Sequence, residues 1–413
     1  MREIIASIDL GSSKIKLVVA EIVNDKFNIL CAIDEESRGI EKGIIIEPSE
    51  TEYAVKRLLK RANELLNVKI SKAILSIAEE SCEFKIGEAS ISISSEDKEI
   101  VAQDIIHVLQ ASLKGQIEDN MELITVIPIM FKVDDKKTRI PKNMKGDSLS
   151  VKAVIVTALN KDVYTAAKVL EKCGVEVVDI NINSIGSYYA HKDESTDTTT
   201  GIVIDCGAET FKISVINKGI IINNIVLNIG GNDIDKDISY IYKLSSQNAK
   251  ELKETLGIAN RKNASSKDKE VLTNTQGEKV EINQYELAEI INSRLMEMLN
   301  MSKNEINYLT KKEISYIIIT GGLSELEDFS LSVESVFGRI ARVGKIQIIG
   351  ARDNKYASCI GMIKYFDTKL KLRDKEFSIF SDDELDILSA QTEKRGISGD
   401  SILGKVFGIF FDN

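Results

Sequence analysis

Two aspartates carry the most explicit chemistry in the chain. Asp9 stands in Ile8-Asp9-Leu10-Gly11-Ser12-Ser13-Lys14-Ile15-Lys16, and Asp205 in Ile204-Asp205-Cys206-Gly207-Ala208-Glu209-Thr210-Phe211-Lys212. The two stretches align without gaps from Ile8 to Val19 and from Ile204 to Val215, and both read I-D-x-G-x-x-x-x-K. In each, an apolar strand enters a glycine turn and leaves as a second strand. Glycine permits the tight path and leaves successive N–H groups facing into the turn, a cradle for phosphate oxygens. A carboxylate there would repel bare phosphate, so the pair makes sense as holders of a hydrated Mg²⁺ that bridges phosphates gripped from both sides. The inferred ligand is Mg-ATP. One copy of D-x-G is an ordinary hairpin turn; its duplication is what points to a shared ligand. Two glycine pairs add to the expected cleft: Gly230-Gly231 after a strand at Ile220–Ile229, and Gly321-Gly322 after a strand at Ile314–Thr320. Each also suits a strand-to-helix turn for purely conformational reasons.

The elements that must position these residues follow from periodicity. Strand-like runs at Ile4–Leu10, Ile15–Val23 and Phe27–Asp34 precede a helical stripe over Ser49–Leu66, with Ser49 and Glu52 spaced as a capping box. From about Phe84 the pattern shifts to short strands (Ile91–Ile93, Leu123–Ile127, Ile129–Val133), a helix near Ala102–Leu113 and a turn-rich Pro141–Asp147, which reads as a small insertion. Strand Ala153–Ala158, helix Lys161–Cys173 and strand Val175–Ile180 resume the α/β pattern before the polar run Asp193–Thr200. The repeat therefore predicts two equivalent α/β halves facing each other across a cleft. Farther on, a helix at Tyr285–Asn300 presents Arg294 and Glu297 three residues apart, by itself an ordinary surface ion pair.

Composition excludes several classes. The 413 residues are long for one domain, and 43% hydrophobic with 29% charged residues fits neither disorder nor a wholly membrane-embedded chain. A net charge of −10 disfavours sequence-independent binding to nucleic acid. Only His107 and His191 occur, far apart, and the five cysteines lack metal-ligand spacing, so zinc chemistry and Ser-His-Asp catalysis have no raw material. Scattered cysteines and a strand-like N-terminus without a secretory pattern read as cytoplasmic. No run approaches the ~20 apolar residues needed to span a bilayer, so any membrane contact is expected to be peripheral.

The end of the chain differs from the rest. Residues 367–399 are polar and read as a flexible linker. Over 400–413, a helical wheel at ~100° per residue gathers Ile402, Leu403, Val406, Phe407, Ile409, Phe410 and Phe411 on one side. That segregation suits an amphipathic helix in a lipid headgroup region, or a terminal helix docked in a protein groove.

The order Ile8-Asp9-Leu10-Gly11-Ser12-Ser13, Ile204-Asp205-Cys206-Gly207-Ala208-Glu209-Thr210, Ile229-Gly230-Gly231-Asn232-Asp233-Ile234 and Ile317-Ile318-Ile319-Thr320-Gly321-Gly322-Leu323 resembles the phosphate 1, phosphate 2 and adenosine motifs of the actin, Hsp70 and sugar kinase superfamily. Within it the chain is similar to the FtsA family of bacterial cell division proteins over nearly its whole length, including Val126-Ile127-Pro128 through Val133-Asp134 and Ile140 to Leu149 in the insertion. The resemblance implies an actin-like two-half ATPase fold, that is, duplicated ribonuclease H-like domains, with a small inserted α+β subdomain. It divides the chain into a first half (1–83 and 154–196), the insertion (84–153), a second half (197–230 and 314–366), a subdomain at 231–313, the linker and the terminal membrane helix.

The resemblance further implies ATP contacts from Asp9, Gly11, Ser12, Ser13 and Lys16, from Asp205, Gly207, Ala208, Glu209, Thr210 and Phe211, and from Gly230, Gly231, Gly321, Gly322 and Leu323. Asp9 and Asp205 would hold Mg²⁺ through water, and Arg294 with Glu297 would grip the FtsZ C-terminal peptide. The implied function is ATP-dependent polymerisation under the cytoplasmic membrane at the division site, tethering FtsZ filaments to lipid. Three positions depart from the family pattern: Leu323 replaces a third Gly, Asp235 a Thr, and Asn143 a Gly. Where superfamily chaperones orient the attacking water with a carboxylate, Asn181-Ile182-Asn183-Ser184-Ile185-Gly186 offers amides, so ATP turnover is expected to be slow or negligible. A pilus or secretion scaffold and a small-molecule kinase are the rival readings.

Overall fold

The computed structural model describes residues 3–23, 26–373, 375–381 and 383–385. Its first sheet begins as an antiparallel meander, β1 (Glu3–Leu10), β2 (Lys14–Val23) and β3 (Lys26–Glu36). A two-residue turn then joins the short strands β4 (Ile40–Glu41) and β5 (Ile44–Ile45). Helix α1 (Pro48–Leu66) crosses over to β6 (Lys72–Ile77), which lies parallel to β1. Every residue of β1 after Glu3 is buried, because α1 covers one face of the sheet and a late helix covers the other.

Helix α1 buries Val55, Leu58, Leu59, Ala62 and Leu66 on one stripe. Its start differs from the expected capping box: the helix begins one residue earlier, at Pro48, whose fixed φ suits a first helical position. Ser49 does not cap, and the Thr51 hydroxyl instead donates to the Glu47 carbonyl at 3.2 Å.

The insertion forms its own four-stranded sheet in the order β7-β10-β8-β9, from β7 (Glu83–Ser92), β8 (Met121–Val133), β9 (Lys136–Thr138) and β10 (Ser148–Leu159), with α2 (Ala102–Ala111) against it. The two strands expected around Pro128 are one continuous β8. The strand tolerates Pro128, which has no N–H to give the ladder, because the register with β10 slips at Lys152/Ala153 beside it. Asn143 has φ +65, the left-handed region that Asn enters more readily than other non-glycine residues.

Helix α3 (Asn160–Lys172) and β11 (Glu176–Ile182) complete the first sheet in the order β11-β6-β1-β2-β3. After α4 (Asn183–His191) the plan repeats: β12 (Thr200–Cys206), β13 (Phe211–Asn217) and β14 (Ile220–Leu227) form a meander. Then come α5 (Gly231–Tyr242), α6 (Ser246–Thr255), the hairpin β15 (Lys269–Thr273) and β16 (Lys279–Asn283), and α7 (Gln284–Leu309). Strand β17 (Tyr316–Thr320) lies parallel to β12, and after α8 (Phe329–Phe337) the strand β18 (Ala341–Val343) closes the sheet in the order β14-β13-β12-β17-β18. The two large sheets share one strand plan. Helix α7 outlasts the expected Asn300 because Ser302 and Ile306 continue its buried stripe.

A late helix, α9 (Ala357–Arg373), packs on α4 and on the first sheet. It corrects the expectation that a linker starts at residue 367. Residues 367–373 are helical, and beyond them Phe377 meets Phe366 edge-on at 5.4 Å while Ile379 and Phe380 are buried. The Ile379 N–H donates to the Ile4 carbonyl at 2.8 Å, pinning this segment to the start of β1. The expected membrane helix, 400–413, and the part of the expected linker from residue 386 onward lie outside the described residues. Among those described, no helix is long and apolar enough to cross a membrane.

Candidate functional site

Strand register places the acid of each repeat opposite its own lysine: Asp9 pairs with Lys16 across β1 and β2, and Asp205 with Lys212 across β12 and β13. The Asp9 carboxylate meets Lys16 Nζ at 2.9 Å through Oδ2, while Oδ1 accepts from Ser76 Oγ and Asn183 Nδ2, each at 2.9 Å. Asp205 is looser, with Lys212 Nζ at 4.0 Å and Ser187 Oγ donating at 3.1 Å. Asn183 and Ser187 lie one turn apart on α4, so the N-terminal part of that helix reaches both acids from a single face. Composition and spacing did not single out Ser76 or Ser187.

Both turns open on one cavity of about 520 Å³ between the halves, within the usual range for a small-molecule site. Asp9, Gly11, Ser12, Ser13 and Lys16 line it from the first half, and Asp205, Gly207, Ala208, Glu209 and Thr210 from the second. Gly231, Gly321, Gly322 and Leu323 complete the expected wall. Two predicted residues do not line it. Phe211 is fully buried in the core of the second half, and Gly230 lies beneath the Gly207 turn, where a Cβ would strike the Ala208–Glu209 peptide. Gly321 needs to be glycine twice over: its φ is +92, and a Cβ would collide with the Asp205 carboxylate.

The wall also holds Lys250, Lys253, Glu254 and Lys355, which the motifs did not reveal. Lys253 pairs with the buried Asp235 at 2.7 Å and donates to the Gly231 carbonyl at 3.1 Å, so this acid braces α5 to α6. Lys355 and Lys14 both hold Asp34, at 2.9 and 2.6 Å.

Burial alone would raise the Asp9 carboxyl, but Lys16 and Lys212, with hydrogen bonds from Lys16 and Ser76, hold it below the usual carboxylate range. Lys16 and Lys212 are raised in turn: burial disfavours their charge, and the surrounding carboxylates more than restore it. Glu79, in the loop after β6, is pushed up by burial despite Lys212 and Ser184. It accepts from the Ser184 N–H and hydroxyl at 2.6 Å each and from Asn224 Nδ2 of β14 at 2.7 Å. A carboxylate therefore does stand beside the amide-rich segment that opens α4. Its oxygens are occupied by three donors, which suits a clasp between the halves better than a base. His191 is buried against Thr320 at 2.9 Å, and burial, Lys364 and Arg342 lower its pKa to about 4.

For a metal, the donor set is informative. Among the described residues no three His, Cys, Asp or Glu side chains group as a metal site. Asp9 is 1% exposed with both oxygens engaged, whereas Asp205 is less encumbered and faces the cavity. These residues fit a Mg²⁺ held through water and ligand oxygens, not a direct protein cage.

Arg294 and Glu297 lie on α7, away from the cavity. Arg294 grips Asp237 of α5 through Nε at 2.6 Å and Nη2 at 2.9 Å, and reaches Glu297 at 2.7 Å. Beside them a surface groove is lined by Asp237, Tyr240, Ile241, Ile290 and Ser293, with Tyr240 86% exposed.

Residues 202–361 match the family model described as Cell division protein FtsA, and residues 81–157 match that of the SHS2 domain inserted in FTSA. The chain is 26% identical over 369 residues to the Cell division protein FtsA of Bacillus subtilis (strain 168), covering 88% of this chain and 83% of that protein. It is 29% identical over 375 residues to the protein of the same name from Borreliella burgdorferi, covering 88% and 91%. Among solved structures, a chain of the PilM-PilN type IV pilus biogenesis complex superposes with a TM-score of 0.61 at 14% identity, covering 87% of this chain and 98% of that one. MreB5 of Spiroplasma citri bound to ADP gives 0.55 at 12% identity, covering 89% and 97%. These likenesses show the fold: α/β, actin-like, in two halves with an inserted subdomain.

Proposed function

The chain belongs to the FtsA family of actin-like cell division proteins, and on that premise we propose that it binds Mg-ATP between its halves, self-associates into filaments at the cytoplasmic face of the membrane, and tethers FtsZ filaments there. The observation that carries the nucleotide reading is the convergence of two register-matched Asp-Gly turns on one cavity. In this reading the turn N–H groups, Lys16 and Lys212 take the phosphates. Asp205 holds Mg²⁺ through water, with Asp9 behind it, and Lys250, Glu254 and Lys355 face the remainder of the nucleotide. Bound Mg²⁺ would neutralise phosphate charge. Turnover is slow or negligible, since Asn183 is spent on Asp9 and Glu79 on its three donors.

Arg294, held rigid by Asp237, with Glu297 and the neighbouring Tyr240 and Ile241, forms the site for the FtsZ C-terminal peptide. The proposed units are those set by the resemblance, with the linker starting after the docked segment that ends near Phe380. The membrane contact belongs to 400–413, through Ile402, Leu403, Val406, Phe407, Ile409, Phe410 and Phe411. Calorimetric titration with ATP in the presence of Mg²⁺ tests the first step: saturable heat is expected, and its absence would end the nucleotide reading. Vesicle co-sedimentation of the full chain and of one ending at Gly399 tests the last, and equal pelleting of the two would remove the terminal helix from it. Binding of the FtsZ tail peptide to the wild type but not to Arg294→Ala tests the partner site.

A further inference from the structure

The Gly11 turn (turn 1) and the Gly207 turn (turn 2) differ where the repeat places Ser13 in one and Glu209 in the other. Each of these residues is held by the opposite half. Ser13 Oγ accepts from Lys250 Nζ of α6 at 3.2 Å. The Glu209 carboxylate accepts from the Lys42 backbone N–H at 2.6 Å and faces Asn232 Nδ2 at 3.4 Å. Lys42 and Gly43 form the two-residue turn between β4 and β5, with φ +49 and +80, the mirror-image turn that closes the tightest hairpins. The next N–H along, from Gly43, donates to Ser12 Oγ at 2.8 Å. The hairpin tip therefore lies over both turns at once and aims one peptide N–H at each.

The partners of Glu209 are neutral amide donors converging on an anion at the rim of the cavity. That is the environment the turns are expected to offer a phosphate oxygen. We propose that Glu209 is an internal stand-in for a terminal phosphate. Its carboxylate straps the Lys42–Gly43 hairpin of the first half to turn 2 of the second, and it must release the Lys42 N–H before a nucleoside triphosphate seats fully. The inference rests on the nucleotide reading and deepens it. A diphosphate, ending short of the strap, enters with Glu209 in place; a triphosphate pays both the lost hydrogen bond and the repulsion between two anions. Glu209 thereby sets the preference of the cleft between di- and triphosphate, and with it whether the halves are joined by the protein's own carboxylate or by ligand.

The test compares the full chain with Glu209→Ser, which gives turn 2 the residue that turn 1 carries. ATP and ADP affinities with Mg²⁺ are read by calorimetry, and protection of the Lys42 amide by hydrogen exchange without nucleotide. Expected are an ATP affinity raised about tenfold and an ADP affinity changed less than about threefold, from removal of one nearby like charge. The ATP gain should shrink as salt rises, and the Lys42 amide should exchange faster in the variant. An ATP gain no larger than the ADP gain, or an equally protected Lys42 amide, overturns the proposal. Weaker ATP binding by the variant also overturns it and assigns Glu209 to the metal's surroundings instead. No nucleotide heat from either protein overturns the nucleotide reading and the displacement with it, while a changed Lys42 exchange would still leave the strap itself standing.

Discussion

The hairpins β1–β2 and β12–β13 share a sequence pattern and a register, yet they are built for different loads. Asp9 stands in the cavity wall but is fully partnered, with Lys16 at 2.9 Å and two further donors, and is 1% exposed. Asp205 keeps its lysine at 4.0 Å and faces the cavity. The first hairpin sits between α1 and α9 in a sheet covered on both faces, so its acid is part of the core's electrostatic structure. The second carries the acid that has room for a ligand. One motif has thus been divided into an anchor and a working end, and α4 ties the two together through Asn183 and Ser187.

That division can be broken experimentally. The largest effect is expected from Asp9→Ala, which leaves the buried Lys16 ammonium without its partner and should cost about 3–5 kcal/mol. Asp205→Ala should cost less, about 2–3 kcal/mol, since its ion pair is longer, at 4.0 Å, and Glu79 and Asp9 still support the Lys212 charge. Urea unfolding of the two variants checks this, and equal losses would erase the distinction between anchor and working end. Mg²⁺-dependent ATP affinity should rank them the other way for protein that remains folded. Asp205→Ala is expected to lose at least about tenfold, the loss of one charge facing the metal at ~1.4 kcal/mol per decade.

The seam between the halves gives the next effect. His191 has a folded pKa of about 4, below the unfolded value of about 6.5. As pH falls through that window the unfolded chain takes up the proton first, so stability present above about pH 6.5 is lost progressively toward pH 4, by up to about 3 kcal/mol. His191→Gln should flatten this part of the pH profile, and an unchanged slope would remove the histidine from the seam's energetics. The smallest effect is expected from Asn224→Ala, which deletes one donor to Glu79 across the halves and should cost about 1–3 kcal/mol, at the lower end because two Ser184 donors remain. Faster hydrogen exchange at β14 without change in the insertion would localise that cost to the seam.

Much of the frame was legible in sequence because its causes are local. Alternation along β1 and β2, the stripe of α1 and the duplicated turn are patterns of period two, period 3.6 and direct repetition. The misreadings also have local causes. Pro128 looked like a break until its register slip with β10 absorbed it, and the polar stretch from residue 367 hid apolar side chains at 377, 379 and 380 whose spacing follows no helix or strand. Among the site residues, those inside the glycine motifs were visible, whereas Ser76, Glu79, Lys253 and Lys355 carry no motif.

The amino-acid order by itself determined that there are two α/β halves, each with an acid, a glycine turn and a lysine in fixed register. Only the tertiary structure decided which acid is fully partnered and which keeps room for a ligand, that Glu79 clasps β14, and that a hairpin at Lys42 closes over Glu209. Asp9 meets Asn183 across 174 positions, and Lys42 meets Glu209 across 167. No periodicity spans such distances. The short-range torsional and burial preferences that write secondary structure into sequence are silent about contacts between residues this far apart, which exist only once the strands and helices that carry them have been packed together.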